Sequence, residues 1–409
     1  MNKKCRFCDV RLEKVFVDLG TTPLSNAFLE EKDLNQNEDI FPLKVYVCEK
    51  CFLVQLPEWQ IPSEIFSNYA YFSSYSESWL KHAENYVEKM LRKFNLNKKF
   101  VIEIASNDGY LLQYFKKEEI NILGIEPAEN VADVAIKKGI PTLKKFFNSK
   151  MASELKDEGK QADLIIGNNV FAHVPNLNDF VEGLSILLKK DGIITLEFPH
   201  LLKLINLTQF DTIYHEHFSY FSLFVVKKIV EKFNLEIFDV EELSTHGGSL
   251  RVFLKHVQNK KFHVTDNVIS IIKEEENSGL AQIETYEKFS DKVKKIKEDL
   301  NEFFDNVKNE NKKVVCYGAA AKGNTLLNYC GISKNSIMFI VDRNKHKQGL
   351  FLPGTHIVIK NPKEVKNAKP DYILILPWNL KDEVMQQMDF IKEWGGKFVI
   401  PIPEVRIIS

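Results

Sequence analysis

The stretch Phe100-Val-Ile-Glu-Ile-Ala-Ser-Asn-Asp-Gly109 limits the fold of this 409-residue chain more than any other. Apolar alternation over its first residues predicts a strand, and the polar run that follows predicts a tight loop. Tyr110-Leu-Leu-Gln-Tyr-Phe115 then continues at helical spacing. A strand, a tight turn and a helix set a ligand on backbone N–H groups at the helix N-terminus. A second apolar run, Asn121-Ile-Leu-Gly-Ile-Glu126, ends in an acid about 20 residues beyond the loop. In dinucleotide and adenosine sites that spacing places a carboxylate on the ribose hydroxyls. Of the glycines in a usual phosphate loop only Gly109 is present, so a pyrophosphate would be poorly cradled. Asp108 would repel a phosphate but accept hydrogen bonds from an ammonium group. Adenosine without phosphate, carrying a cationic amino-acid tail, suits the loop better, and that is S-adenosylmethionine (SAM). Glu103, Ser106, Asn107, Asp108, Gly109 and Glu126 are its candidate contacts. A βαβ turn that binds nothing is the competing reading.

Strands and helices alternate from Lys99 as in a doubly wound sheet. A helix is expected over Asn130 to Lys138, and the strand Ala162-Asp-Leu-Ile-Ile-Gly-Asn-Asn169 runs into Val170-Phe-Ala-His-Val-Pro175. Ligands of open α/β sheets sit beyond the carboxyl ends of strands, so Asn168, Asn169 and His173 should share the crevice of Glu126. Asp191 to His200 is the next strand, ending at the same rim, with His200 on the substrate side. Leu235–Leu243 and Ser249–His256 read as paired strands around Thr245-His-Gly-Gly248. A parallel sheet finished by such a pair is the topology of SAM-dependent methyltransferases rather than of dehydrogenases.

Cys5-Arg-Phe-Cys8 and Cys48-Glu-Lys-Cys51 each present two thiolates from one tight turn, and two such turns close a tetrahedral four-sulfur site. With no open position the zinc should be structural; an Fe–S cluster or a redox dithiol are the alternatives. The small domain around it, roughly residues 1 to 65, would depend on metal for its fold. The clustering of four of the six cysteines and an N-terminus unlike a signal peptide point to the cytoplasm. No apolar run is long enough to span a bilayer. A net charge of −1 gives no electrostatic reason to expect nucleic acid or anionic membrane as partner.

Phe66 to Trp79 is dense in tyrosine and serine. Tyr69, Tyr71 and Tyr75 stand where a lid over the ligand would be placed, and Ser76 or Ser78 should cap a helix running through His82 to Leu91. Residues 267 to 310 are charged and helical, with Ile269, Ile272, Ile296 and Phe303 on an apolar stripe. The last part restarts an α/β pattern. Lys313 to Gly318 is a strand, Ala319 to Gly323 a turn, Asn324 a helix start, and Ile337 to Val341 a strand ending in the acid Asp342. Tyr372 to Pro377 ends in Trp378-Asn379. With Lys322 beside helical N–H groups, this second crevice suits a nucleotide diphosphate. Gly318, Lys322, Gly323, Asn324, Thr325, Asp342 and Trp378 are the candidates. The densest polar cluster is Asp211-Thr-Ile-Tyr-His-Glu-His-Phe-Ser-Tyr-Phe-Ser222, where Tyr214, His215, Glu216 and His217 supply acids and bases in one short segment.

Together, the CxxC pairs, Glu-Ile-Ala-Ser-Asn-Asp-Gly109, Tyr214-His-Glu-His-Phe-Ser-Tyr-Phe-Ser222 and Thr245-His-Gly-Gly-Ser-Leu-Arg251 resemble the SAM-dependent C-methyltransferases of nucleotide-linked 4-keto-deoxysugars. The resemblance covers essentially the whole chain. It implies a structural zinc in residues 1–65, a SAM-binding methyltransferase domain over 66–265, a helical connector over 266–310 and a Rossmann-like nucleotide-sugar-binding domain over 311–409. It also implies Tyr214, Glu216 and His217 as the catalytic segment, with His217 as base and Tyr75 or Tyr71 reaching the sugar from the lid. His246 would line the sugar pocket. The glycine of the family's SAM loop is Ala105 here. The partner implied is a TDP-, GDP- or CDP-linked 4-keto-deoxysugar, with no nucleic acid or membrane, and monomer and homodimer both stay open. An O- or N-methyltransferase on another small molecule or RNA, and a non-catalytic nucleotide-sugar-binding protein, are the rival readings.

Overall fold

The computed structural model describes residues 3–60 and 72–409. Its first sheet joins β1 (Lys14–Thr22), β2 (Phe41–Val47) and β3 (Val54–Gln55) to a fourth strand from the middle of the chain, β9 (Ser219–Tyr220). Two cysteine knuckles precede β1 and link β2 to β3, and they are near copies. Asp9 and Phe52, each just after its second cysteine, take left-handed φ of 60° and 66°. Each donates its N–H to the carbonyl of the first cysteine, at 2.9 and 2.8 Å. Equal spacing in the sequence thus gives equal backbone turns.

The middle sheet contains β4 (Phe100–Ile104), β5 (Asn121–Ile125), β6 (Thr142–Leu143), β7 (Ala162–Asn168), β8 (Leu188–Pro199), β10 (Leu235–Leu243) and β11 (Ser249–His256). Their order is β10-β11-β8-β7-β4-β5-β6, parallel except where β11 pairs antiparallel with β8 and β10. From β4 the chain turns one way to β5 and the other way to β7, and the crevice opens at that reversal. The helix expected from Tyr110 begins at Leu112, and the one expected from Asn130 is Glu129–Lys137. Ser76 caps the helix Glu77–Lys93 by accepting from Trp79 N.

The last sheet runs β14-β13-β12-β15-β16-β17, with β12 (Val314–Tyr317), β13 (Ile340–Val341), β14 (Ile359–Lys360), β15 (Tyr372–Ile375), β16 (Lys397–Ile400) and an antiparallel β17 (Arg406–Ile408). Residues 266–310 hold the helices Asp266–Asn277, Ile283–Glu287 and Phe289–Asn309. Ile296 and Phe303 lie on the buried stripe of the third, as expected. Ile269 does not lie on that of the first. It is exposed, and the buried face is Val268, Ile271 and Glu275.

The cores are not divided as the chain is. Phe16, Val45 and Val54 near the N-terminus, Phe289 and Leu300 of the long helix, and Val315, Ile340 and Ile373 of the last sheet belong to one apolar cluster. The two faces of the middle sheet carry the others. Among the described residues no helix is long and apolar enough to cross a membrane.

Candidate functional site

Four sulfur atoms, of Cys5, Cys8, Cys48 and Cys51, lie within 4.8 Å of one another, with Cys5–Cys51 and Cys8–Cys48 at 3.5 Å. Zn–S bonds of about 2.3 Å in a tetrahedron need S–S edges of about 3.8 Å, so the four sulfurs fit the metal. None of them is in a disulfide.

The loop after β4 is folded tightly, with Ala105, Asn107 and Gly109 at φ of 55°, 49° and 76°. A Cβ on Gly109 would come within 2.2 Å of Ile140 Cδ1. Glu126, at the end of β5, accepts from Asn107 N at 2.9 Å and from Ala128 N at 2.8 Å. Each of its oxygens keeps a second lone pair that a ribose hydroxyl could fill. Around this carboxylate the Ser106 hydroxyl, Asp108 Oδ1 and the side-chain amides of Asn168 and Asn169 are buried with no partner among the described residues. So many unpaired polar groups at one sheet edge suit a polar ligand such as SAM. Asp108 Oδ2 is already engaged by Lys138 Nζ at 3.1 Å and by the Ser74 hydroxyl. Glu103 is buried under the loop, and that burial, with Glu126 nearby, pushes its carboxyl well above the usual range.

Above the loop, Ser73 N donates to Asn107 Oδ1 at 2.8 Å. Tyr75 is 58% exposed, and its ring lies 6.3 Å from that of His346 in the last domain. Tyr71 lies outside the described residues. Trp79, in the first turn of its helix, stacks on His82 at 4.8 Å and meets the edge of His246 at 5.6 Å.

The segment 211–217 crosses between the two crevices. The Thr212 carbonyl lies 2.8 Å from His217 Nδ1 and can only accept, so Nδ1 carries the proton. Burial and the neighbouring His173 hold the His217 pKa well below its ordinary value. The ring is therefore neutral near pH 7, and its Nε2 lone pair faces the Tyr214 hydroxyl at 2.9 Å. His173, 4.7 Å from His217 between ring centroids, is lowered by burial to about 4. Glu216 Oε1 accepts from Asn26 Nδ2 at 2.5 Å. His215 turns away onto the Phe41 ring. His246, on a left-handed backbone in the 245–248 turn, is lowered to about 4 by burial and by Lys322.

The last domain meets this segment through a knot of side chains. Lys322 Nζ lies 5.0 Å from the Trp378 ring, 3.4 Å from Asn379 Oδ1 and 3.5 Å from the His246 carbonyl. Trp378 Nε1 donates to Asp211 Oδ2 at 2.7 Å, and burial pushes that carboxyl up to about 6. Asp342 accepts from Ala319 N and Asn344 N, both at 2.8 Å, pinning the turn.

Not every expected residue joins these groups. His200, the N-cap residue of the helix Leu201–Asn206, is instead buried with its Nε2 2.7 Å from Glu275. Gly318 and Gly323 serve close packing, since a Cβ on either would strike Pro377 or Leu376. Asn324 and Thr325 are buried, and Thr325 donates to the Ile213 carbonyl at 2.9 Å.

Sequence reasoning passed over Glu197. Its carboxylate takes Arg251 Nη2 at 2.8 Å, His82 Nε2 at 3.0 Å and Thr245 Oγ1 at 3.0 Å. Burial alone would raise its pKa, but the His82 and Arg251 interactions hold it at about 2. An acid inside the apolar run Ile193-Ile-Thr-Leu-Glu-Phe198 was the available signal. Asn26 gave none, standing far from Glu216 in the chain.

Residues 5–66 match the family description of a zinc binding domain, 79–240 that of a methyltransferase domain, and 244–403 that of the C-methyltransferase C-terminal domain. C-methyltransferase NovU of Streptomyces niveus is 35% identical over 407 residues, which are 99% of this chain and 97% of that protein. Among solved structures, magnesium protoporphyrin IX methyltransferase of Synechocystis PCC 6803 with bound SAM matches 43% of this chain and 78% of its own, at 15% identity and a TM-score of 0.33. An S-adenosylmethionine-dependent methyltransferase of Clostridium acetobutylicum ATCC 824 matches 42% of this chain and 90% of its own, at 12% identity and a TM-score of 0.34.

Proposed function

This chain belongs to the SAM-dependent C-methyltransferases, and from that premise we propose that it methylates C3 of a nucleotide-linked 4-keto-6-deoxysugar. The observation that carries the reading is His217: a neutral imidazole with Nδ1 tied to the Thr212 carbonyl and Nε2 directed at Tyr214, between the Glu126 crevice and Lys322.

A ketone at C4 acidifies the C3 proton, so a neutral imidazole held beside it can form an enolate. His217 Nε2 takes that proton, and the C–H electron pair moves into the enolate. The Tyr214 hydroxyl, released from Nε2, donates to the enolate oxygen. SAM, when bound, supplies the electrophilic methyl group. Glu126, Asn168, Asn169 and Ser106 would hold SAM with its methyl group beside the nucleophilic carbon. Glu216, fixed by Asn26, orients the sugar. Lys322 and Trp378 take the nucleotide diphosphate, and Tyr75 reaches the sugar. Cys5, Cys8, Cys48 and Cys51 would hold a zinc ion through four thiolates, the donor set of a structural site.

The test uses a panel of TDP-, CDP- and GDP-linked 4-keto-6-deoxyhexoses with SAM. Mass spectrometry should find one of them heavier by a methyl group. In deuterated water, with demethylated SAM in place of SAM, the enzyme should wash deuterium into C3. His217→Asn should slow exchange and turnover alike, by about 10²–10⁴-fold. Exchange at the wild-type rate in that variant would make His217 a positioning residue only.

A further inference from the structure

The zinc-binding segment grips the histidine cluster from two sides. Val54 and Gln55 pair with Tyr220 and Ser219, just past His217, and Leu56 N donates to the Phe218 carbonyl at 3.0 Å. Phe218 N in turn donates to the carbonyl of Ala172, next to His173, at 2.8 Å. Arg6 stands inside the first knuckle, between Cys5 and Cys8. Its Nη1 donates to the Pro175 carbonyl at 3.0 Å and its Nη2 to the Leu56 carbonyl, while the guanidinium lies 5.4 Å from the Phe218 ring. Its own N–H donates to Gln55 Oε1 at 2.9 Å, and Gln55 Nε2 donates to Cys5 Sγ at 3.2 Å. Asn178 Nδ2 holds the Arg6 and Phe7 carbonyls at 3.3 and 3.1 Å.

We propose that Arg6 is a positioning residue for catalysis, clamping the His173 and His217 segments to the four-cysteine centre. The inference rests on the role given to His217 above. A planar guanidinium can bridge two carbonyls on two separate segments at a fixed separation, which a lysine ammonium does far less well. An arginine guanidinium stays charged throughout the neutral range, so both carbonyls face a permanent cation. The turn that carries it is braced by metal ligands on both sides. The zinc-binding domain is then a wall of the active site as well as a fold stabiliser.

Arg6→Lys in the full-length zinc-loaded enzyme tests this. Supporting residues of this kind are worth about 10–100-fold, so turnover should fall by that factor while zinc content, SAM affinity by calorimetry and KM stay as in the wild type. A second readout is the acid limb of the kcat/KM profile. His217 is faced by Tyr214, His173 and Tyr220, with the titratable His246 and the Lys322 ammonium farther off. A loosened segment admits water, so the limb should move up toward pH 6.5. Zinc lost in step with activity, or unchanged turnover and limb, would overturn the inference. So would an Arg6→Lys effect that persists in full in a His217→Asn background. If His217→Asn itself turned over normally, the base assignment would fall with it. Should Arg6→Lys prove insoluble, Asn178→Ala frees the Arg6 carbonyl without touching the guanidinium and must show the same pattern on a smaller scale, or the inference fails.

Discussion

Ala105 holds a left-handed backbone, φ 55°, in the loop after β4. A side chain there costs about 1–2 kcal/mol, partly offset by the roughly 0.4–1 kcal/mol that alanine saves by restricting the unfolded chain. Ala105→Gly should therefore stabilise the protein by about 0.5–1 kcal/mol in urea unfolding and leave SAM affinity unchanged. A destabilised variant would mean that the Ala105 methyl group packs usefully. Residues of this loop were legible because they are neighbours in the chain, and their chemistry follows from a local strand and turn. Asn26 was not, because its partner Glu216 comes to it only through the folded contact of two distant segments. Nor were Lys138 and Ser74, which engage one Asp108 oxygen from distant segments.

At the level of elements, the helix Asp266–Asn277 does more than connect. Its Glu275 is fully buried and accepts from Leu223 N at 2.6 Å, Phe224 N at 2.9 Å and His200 Nε2 at 2.7 Å. It thereby caps the helix Leu223–Glu231 from another part of the chain, where the Ser222 side chain makes no cap bond. Glu275→Ala would strand three buried donors. It should cost about 3–5 kcal/mol, as for breaking a buried pair, measured by urea unfolding. A loss below about 1 kcal/mol would show that water replaces the carboxylate. The same residue explains a misread register. A glutamate on the buried face broke the apolar repeat of Val268 and Ile271, and so shifted the apparent stripe to Ile269. The bounds of β10 and β11 were read to the residue, but the bulge between Ile237 and Asp239 and the burial of Asp239, Arg251 and Lys255 were not.

For the whole molecule, the shared core of the first and last domains sets what can be removed. A chain ending at 310 would lose the partners of Phe16, Phe289 and Leu300. Its amides in β1, β2 and the helix Phe289–Asn309 should lose protection in hydrogen exchange, while the middle sheet keeps its own. Full protection in both regions would make the domains independent. No sequence pattern announced this arrangement, because hydrophobic periodicity reports which face of an element is buried and not against what. The knuckles matter here in another way. On the ribosome the first sheet emerges long before β12, and at about 5–20 residues per second the delay is roughly 10–50 s. Through that interval the nascent first domain has its apolar face uncovered, and the four cysteines are the local crosslink available to hold it. Zinc taken up during translation would hold the two knuckles in place until the last sheet arrives to cover that face.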